Sequence, residues 1–143
     1  MVSPVEIHDA KILIVDDRPS DVLLLESILG GEGYVSVAST LDPTTVCELH
    51  RRNRYDLILL DLNMPVMDGF EVMHGLKGVE ESADLPVLVI TTQPDHWIRA
   101  LGAGARDFVS KPFRIPELLG HIHYLLVSSL GTRRTGLAMK AVS

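Results

Sequence analysis

The chain has 143 residues, 46% hydrophobic and 22% charged, which suits one globular domain and excludes a disordered chain. Its net charge of −6 argues against a nucleic-acid-binding face, which would be basic. Cys47 is the single cysteine, so no intrachain disulfide forms; Met1–Ala10 lacks a signal-peptide pattern, and no apolar run approaches the roughly 20 residues of a membrane span, so the expectation is a soluble cytoplasmic protein.

Residues 1–9 read as an N-terminal extension. Ile12–Val15 is the first apolar run. A helix follows, entered near Pro19-Ser20, striped by Leu24, Leu25, Ile28 and Leu29, and closed by Gly30-Gly31. Tyr34–Ala38 is a weaker strand. Asp42-Pro43 supplies the N-cap and first position of a second helix, running to about Arg52. Asp56–Leu60 predicts the third strand, Phe70–Leu76 the third helix and Pro86–Ile90 the fourth strand. Trp97, Ile98 and Leu101 predict a short fourth helix ending at Gly102 or Gly104, and Phe108-Val109 a short fifth strand. Leu118, Leu119, Ile122, Leu125 and Leu126 form the clearest stripe, on the last helix.

The strong runs lack polar alternation, the pattern of parallel strands covered on both faces. Strand and helix alternate throughout. The fold class is therefore α/β: a single three-layer domain with a five-stranded parallel sheet and five helices. Residues 131–143 carry three basic and no acidic side chains, leaving −9 on residues 1–130, and read as a flexible basic tail or the start of a linker.

Chemistry-bearing residues follow the strong runs: Asp16 and Asp17 after the first, Asp61 after the third, Thr91 after the fourth and Lys111 after the fifth. Open parallel sheets bind ligands beyond the carboxyl ends of their strands, at the switch in strand order. With the order 2-1-3-4-5, three carboxylates, a hydroxyl and an ammonium share one sheet edge. Crowded carboxylates repel unless a divalent cation neutralises them, and hard oxygen ligands suit magnesium, with manganese as a substitute. One carboxylate then serves as nucleophile toward a phosphoryl group.

Four stretches, Ile12–Asp17 (ILIVDD), Leu59–Gly69 (LLDLNMPVMDG), Val89–Thr92 (VITT) and Gly104–Phe113 (GARDFVSKPF), together resemble the receiver domain of bacterial two-component response regulators. The resemblance spans about residues 10–130 and implies a flavodoxin-like fold. It implies Asp61 as phospho-acceptor, and Asp16, Asp17, Asp61 and the backbone carbonyl of Asn63 as magnesium ligands. Thr91 and Lys111 would contact the phosphoryl group, Thr91 and Phe108 would switch together, and Lys111-Pro112 would be a cis peptide bond. The implied donor is a histidine kinase or a phosphotransfer protein. The output is a change in the face of the fourth helix, fifth strand and fifth helix, leading to a homodimer or to contact with a downstream protein. Two departures stand out. The Thr91–Gly104 stretch is slightly short, which predicts a trimmed fourth helix or preceding loop, and Thr92 stands where the family usually has alanine or glycine.

Other residues have plainer readings. Asp68-Gly69 reads as turn chemistry, His50 and His74 as surface residues, and Cys47 as an inert, partly buried thiol. His121 and His123, two apart on a helix, make a poor metal pair. The expectation is a signalling domain, not an enzyme, that supports its own phosphorylation and autodephosphorylation. It is either stand-alone or part of a longer regulator, with no direct contact to nucleic acid or membrane. The alternatives are a pseudo-receiver that is never phosphorylated, or a magnesium-dependent phosphatase with Asp61 as nucleophile. Asn63 cannot supply the acid-base group that such a phosphatase needs.

Overall fold

The computed structural model describes residues 2–64, 68–79 and 84–142, with side chains as far as Gly131. Residues 65–67, inside the Leu59–Gly69 motif, lie outside the described residues. In chain order the elements are α1 (Pro4–His8), β1 (Lys11–Val15), α2 (Pro19–Glu32), β2 (Ser36–Thr40), α3 (Val46–Asn53), β3 (Leu57–Asp61), α4 (Gly69–Lys77), β4 (Val87–Thr91), α5 (Trp97–Ala103), β5 (Asp107–Ser110) and α6 (Ile115–Val142). Short 3-10 turns, Pro43–Thr45 and Pro94–His96, lead into α3 and α5.

The five strands form one parallel sheet in the order β2-β1-β3-β4-β5, as expected. Alternate strand residues feed two separate cores, because successive side chains point to opposite faces. Ile12, Ile14, Leu57, Leu59, Leu88, Ile90 and Val109 pack beneath α1, α2 and α6. Leu13, Val15, Ile58, Leu60, Val87 and Val89 pack beneath α3, α4 and α5. β1, β3 and β4 are thus covered on both sides, which is why they read as unbroken apolar runs.

The described residues form six α-helices where five were expected. The extra one, α1, falls in the N-terminal extension and is held by a capping box: Glu6 N–H donates to Ser3 Oγ, and Ser3 N–H donates to Glu6 Oε1. Ile7 then anchors it in the core. Because of it, the expected fourth and fifth helices are α5 and α6.

Three other expectations shift. α2 does not stop at Gly30-Gly31 but at Gly33, whose φ of 108° lets its N–H close onto the Leu29 and Gly30 carbonyls. Its buried stripe is Val22, Leu25 and Leu29, with Leu24 exposed. β2 lies two residues later than Tyr34–Ala38. It is an edge strand with no fully buried residue, so its apolar signal was weak.

His50 is a correction: it is 1% exposed, not a surface residue. Its Nδ1 accepts the Tyr55 N–H at 3.1 Å, closing the turn between α3 and β3. His74 is exposed, as expected. α5 is short, ending at Gly104 in the left-handed conformation. The backbone of α6 continues past residue 130 to Val142. Among the described residues, no helix is long and apolar enough to cross a membrane.

Candidate functional site

The sheet register brings the predicted residues to one edge. Val15 pairs with Leu60, Asp61 with Ile90, and Thr91 with Ser110, so β1, β3, β4 and β5 end at nearly the same level. Asp16 and Asp17 follow β1, Asp61 closes β3, Thr91 closes β4 and Lys111 follows β5. The loops are fixed locally. Asp16 Oδ1 accepts the Arg18 N–H at 3.0 Å, turning the chain into α2. Lys111 N–H donates to the Thr91 carbonyl at 2.7 Å, and Lys111-Pro112 is cis.

Carboxylate oxygens of Asp16, Asp17 and Asp61 all lie within 4.8 Å of one another. Asp16 and Asp61 are buried. Lys111 Nζ donates to Asp16 Oδ2 at 3.1 Å and stands 4.0 Å from Asp61 Oδ2. It also donates to Asp21 Oδ2 at 3.1 Å. One ammonium is thus paired with three carboxylates, Asp16, Asp21 and Asp61, while Asp17 stands in the cluster with Asp16 and Asp61.

The electrostatics follow from that imbalance. Burial pushes the Asp61 carboxyl up to about 6, opposed by the Asn63 N–H and Lys111 and reinforced by Asp16 and Asp17. Burial disfavours the Lys111 charge, but Asp61, Asp16 and the bond to Asp21 outweigh it and raise its pKa. Asp17 Oδ1 is buried without a protein hydrogen-bond partner. An orphaned carboxylate oxygen among crowded hard donors fits a small divalent cation.

The remaining predicted residues are placed as follows. Asn63 N–H donates to Asp61 Oδ1 at 3.1 Å, which keeps this peptide beside the cluster. The Asn63 side chain donates to Thr92 Oγ1 at 3.2 Å. Thr91 is buried, and its hydroxyl oxygen accepts the Gln93 N–H at 3.0 Å. Phe108 pairs with Val89 on the sheet face that also carries Thr91. It is half-buried and stacked on Trp97, so it lines the α5 side and not the carboxylate cluster.

Sequence reasoning missed two neighbours. Asp21 has no motif around it and looks like any acidic residue in a helix's first turn. Gly69 was read as turn chemistry, yet a Cβ there would stand 2.8 Å from the Asp61 carbonyl oxygen and 2.8 Å from Leu62 Cα. Asp68 caps α4 by accepting the Glu71 N–H at 2.9 Å. Asp68-Gly69 thus locks α4 against the end of β3, a need for glycine that only the folded contacts reveal.

Comparison with known proteins agrees with this geometry. The family described as "Response regulator receiver domain" matches residues 12–123. Response regulator PleD of Caulobacter vibrioides is 41% identical over 118 residues, covering 81% of this chain but 26% of PleD. The chain thus spans about a quarter of that relative's length. Chemotaxis protein CheY4 of Vibrio cholerae is 31% identical with a TM-score of 0.77, covering 82% of this chain and 99% of CheY4. The receiver domain of sensor histidine kinase PA1611 from Pseudomonas aeruginosa, solved with magnesium coordinated in its active site cleft, is 28% identical with a TM-score of 0.76, covering 82% of this chain and 98% of that one.

Proposed function

The chain belongs to the response regulator receiver domain family, and from that premise we propose that Asp61 accepts a phosphoryl group from a phosphohistidine and that the domain signals by the change this causes. The observation that carries the reading is the buried meeting of Asp61 with Asp16, Asp17 and Lys111 at the ends of β1, β3 and β5. Asp16, Asp17, Asp61 and the Asn63 backbone carbonyl are the residues that would hold magnesium. When bound, the ion neutralises the clustered carboxylates and the charge on the incoming phosphoryl oxygens.

In the transfer, an Asp61 carboxylate oxygen attacks phosphorus. The new O–P bond forms as the bond from phosphorus to the donor's imidazole nitrogen breaks, and the nitrogen keeps the electron pair. Lys111 supplies a point charge to a phosphoryl oxygen. The Thr91 hydroxyl, which now accepts from Gln93, still has its own hydrogen to donate. Water later cleaves the acyl phosphate, returning Asp61 and inorganic phosphate. Phe108 lies on the same sheet face as Thr91, so movement at Thr91 reaches α5 and the face formed with β5 and α6.

The donor is a histidine kinase or a phosphotransfer protein, and the output is a downstream protein, a second copy, or a further module joined through residues 131–143. Incubation with acetyl phosphate and magnesium followed by intact-mass measurement tests the reading. The expected result is a gain of one phosphoryl group that is absent in Asp61→Asn. No gain, or a gain that survives the substitution, overturns it.

A further inference from the structure

We infer that Asp21 is a positioning residue for Lys111, holding its ammonium on the Asp16 side of the cluster and so slowing phosphoryl transfer to Asp61; this rests on the reading of Asp61 as phospho-acceptor. The geometry is asymmetric. Lys111 Nζ bonds Asp21 and Asp16 at 3.1 Å each, while Asp61 Oδ2 stands at 4.0 Å, outside hydrogen-bonding distance. A charge-assisted N–H···O bond is about 2.7–2.9 Å long, so the ammonium would have to move about 1 Å to bond the Asp61 carboxylate as it bonds Asp16 and Asp21.

Neither backbone can follow the other to relieve this. Asp21 lies in the first turn of α2, with its N–H bonded to the Arg18 carbonyl at 3.1 Å and its neighbour Val22 buried in the core. Lys111 is tied to β4 through the Thr91 carbonyl. A carboxylate in a helix's first turn is ordinarily well placed on the helix N-terminus. Here it is turned onto Lys111 instead, so the ion pair sets where the ammonium rests. Asp21 touches the chemistry only through Lys111, which makes it a positioning residue and not a catalytic one.

The surroundings make the idea testable. Asp21 and Lys111 line a cavity of about 250 Å³ with Leu24, Leu25, Pro112 and Phe113. The Asp21 side chain is 28% exposed, so Asp21→Asn removes the charge without disturbing a packed core. With the tether gone, Lys111 shifts its hydrogen bonds toward Asp16 and Asp61. In the labelling reaction an Asp61 oxygen displaces acetate, which leaves with the electron pair of the broken P–O bond, and the better-placed ammonium meets the developing charge.

The experiment uses wild type, Asp21→Asn, Lys111→Met and the double variant, labelled with acetyl phosphate at saturating magnesium and high ionic strength, where direct repulsion of the donor is screened. Asp21→Asn is expected to speed labelling of wild type roughly threefold to tenfold, and less than about twofold in the Lys111→Met background. Equal acceleration in both backgrounds, or none in wild type, overturns the inference. The same four proteins are unfolded in urea without magnesium, which confirms that each folds and reads the Asp21–Lys111 coupling independently of phosphoryl chemistry. About fivefold non-additivity in the unfolding constant is expected, and additivity overturns the tether. If wild type takes no label while the urea coupling persists, the phospho-acceptor reading has failed and the rate claim falls with it.

Discussion

Trp97 lies over Phe108, with ring centroids 4.7 Å apart and planes 29° from parallel. Trp97 opens α5 and Phe108 belongs to β5, so the stack ties α5 to the strand beside Thr91. Such a pair contributes about 0.5–1.5 kcal/mol beyond its area burial. A rotation of Phe108 must therefore remake the environment of Trp97. Trp97 is the only tryptophan in the chain, so tryptophan emission comes from this position alone. We expect acetyl phosphate with magnesium to change tryptophan fluorescence in wild type and to leave Asp61→Asn unchanged. A labelled protein with unchanged emission would show that Phe108 does not move.

The Asp61 carboxyl gives a pH dependence whose sign is fixed. Its folded-state pKa is raised from 3.8 to about 6. The contribution of this group to stability is therefore fully present below the unfolded value near 3.8 and is lost as pH rises through about 6. Above that, the metal-free protein carries a buried, repelled carboxylate. Asp61→Asn should stabilise the metal-free protein at pH 8 by about 1–3 kcal/mol and by nearly nothing at pH 3.5. Urea unfolding in the presence of a chelator, at both pH values, measures the difference.

Magnesium should reverse that order. A cation that binds the folded state alone stabilises it by about 2.7 kcal/mol at a hundredfold excess over its dissociation constant. Wild type should gain stability as magnesium is added at pH 8, and Asp61→Asn should gain less because one ligand carboxylate is gone. The acid limb of acetyl phosphate labelling should lie near pH 6 at low magnesium, where Asp61 must ionise to attack, and move to lower pH as magnesium rises. An acid limb that magnesium does not move would separate the cation from Asp61.

Much of this site was legible because its chemistry sits at the ends of buried strands. Unbroken runs such as Leu57–Leu60 and Val87–Ile90 fix where a parallel strand stops, and whatever follows must face the sheet edge. Asp16, Asp17, Asp61, Thr91 and Lys111 were found that way. Asp21 was not, because its role depends on where Lys111 reaches across 90 residues, and no local pattern records that. Leu24 was placed in the core because leucines at helical spacing look alike, whereas the sheet selects Val22, Leu25 and Leu29. α1 was legible in principle: Ser3, Pro4 and Glu6 spell a capping box, but with one buried residue it leaves no apolar stripe.

His50 carries a stability prediction that its exposed appearance in sequence would not suggest. It is buried, stacked near Tyr55 with ring centroids 6.1 Å apart, and it accepts the Tyr55 N–H. His50→Leu keeps a comparable volume but leaves that buried N–H without its acceptor, at a cost of about 1–3 kcal/mol. His74→Leu, on the exposed face of α4, should fall within about 0.5 kcal/mol of wild type. Paired urea melts of the two variants check this, and equal stability would remove the structural role of His50.

Gly69 and Gly30 should respond to the same substitution with opposite signs. At Gly69 a Cβ would meet Leu62 Cδ2 at 2.7 Å, and the Asp61 carbonyl oxygen and Leu62 Cα at 2.8 Å. The leucine tip can move aside, but the two backbone atoms belong to the end of β3 and its first loop residue, fixed by the sheet and by the Gly69 N–H bond to the Leu62 carbonyl at 3.1 Å. α4 must then back away from the sheet, at about 1–3 kcal/mol for overpacking, and the Asp61 peptide shifts with it. At Gly30 a Cβ meets nothing within 4 Å, and the residue lies inside α2. Alanine there should stabilise by about 0.5–1 kcal/mol, because it restricts the unfolded chain at no steric cost. The two variants also separate stability from chemistry. Gly30→Ala should label with acetyl phosphate at the wild-type rate, whereas Gly69→Ala should label more slowly even at temperatures where it is fully folded. Wild-type labelling by folded Gly69→Ala would show that the Asp61 peptide tolerates the displacement.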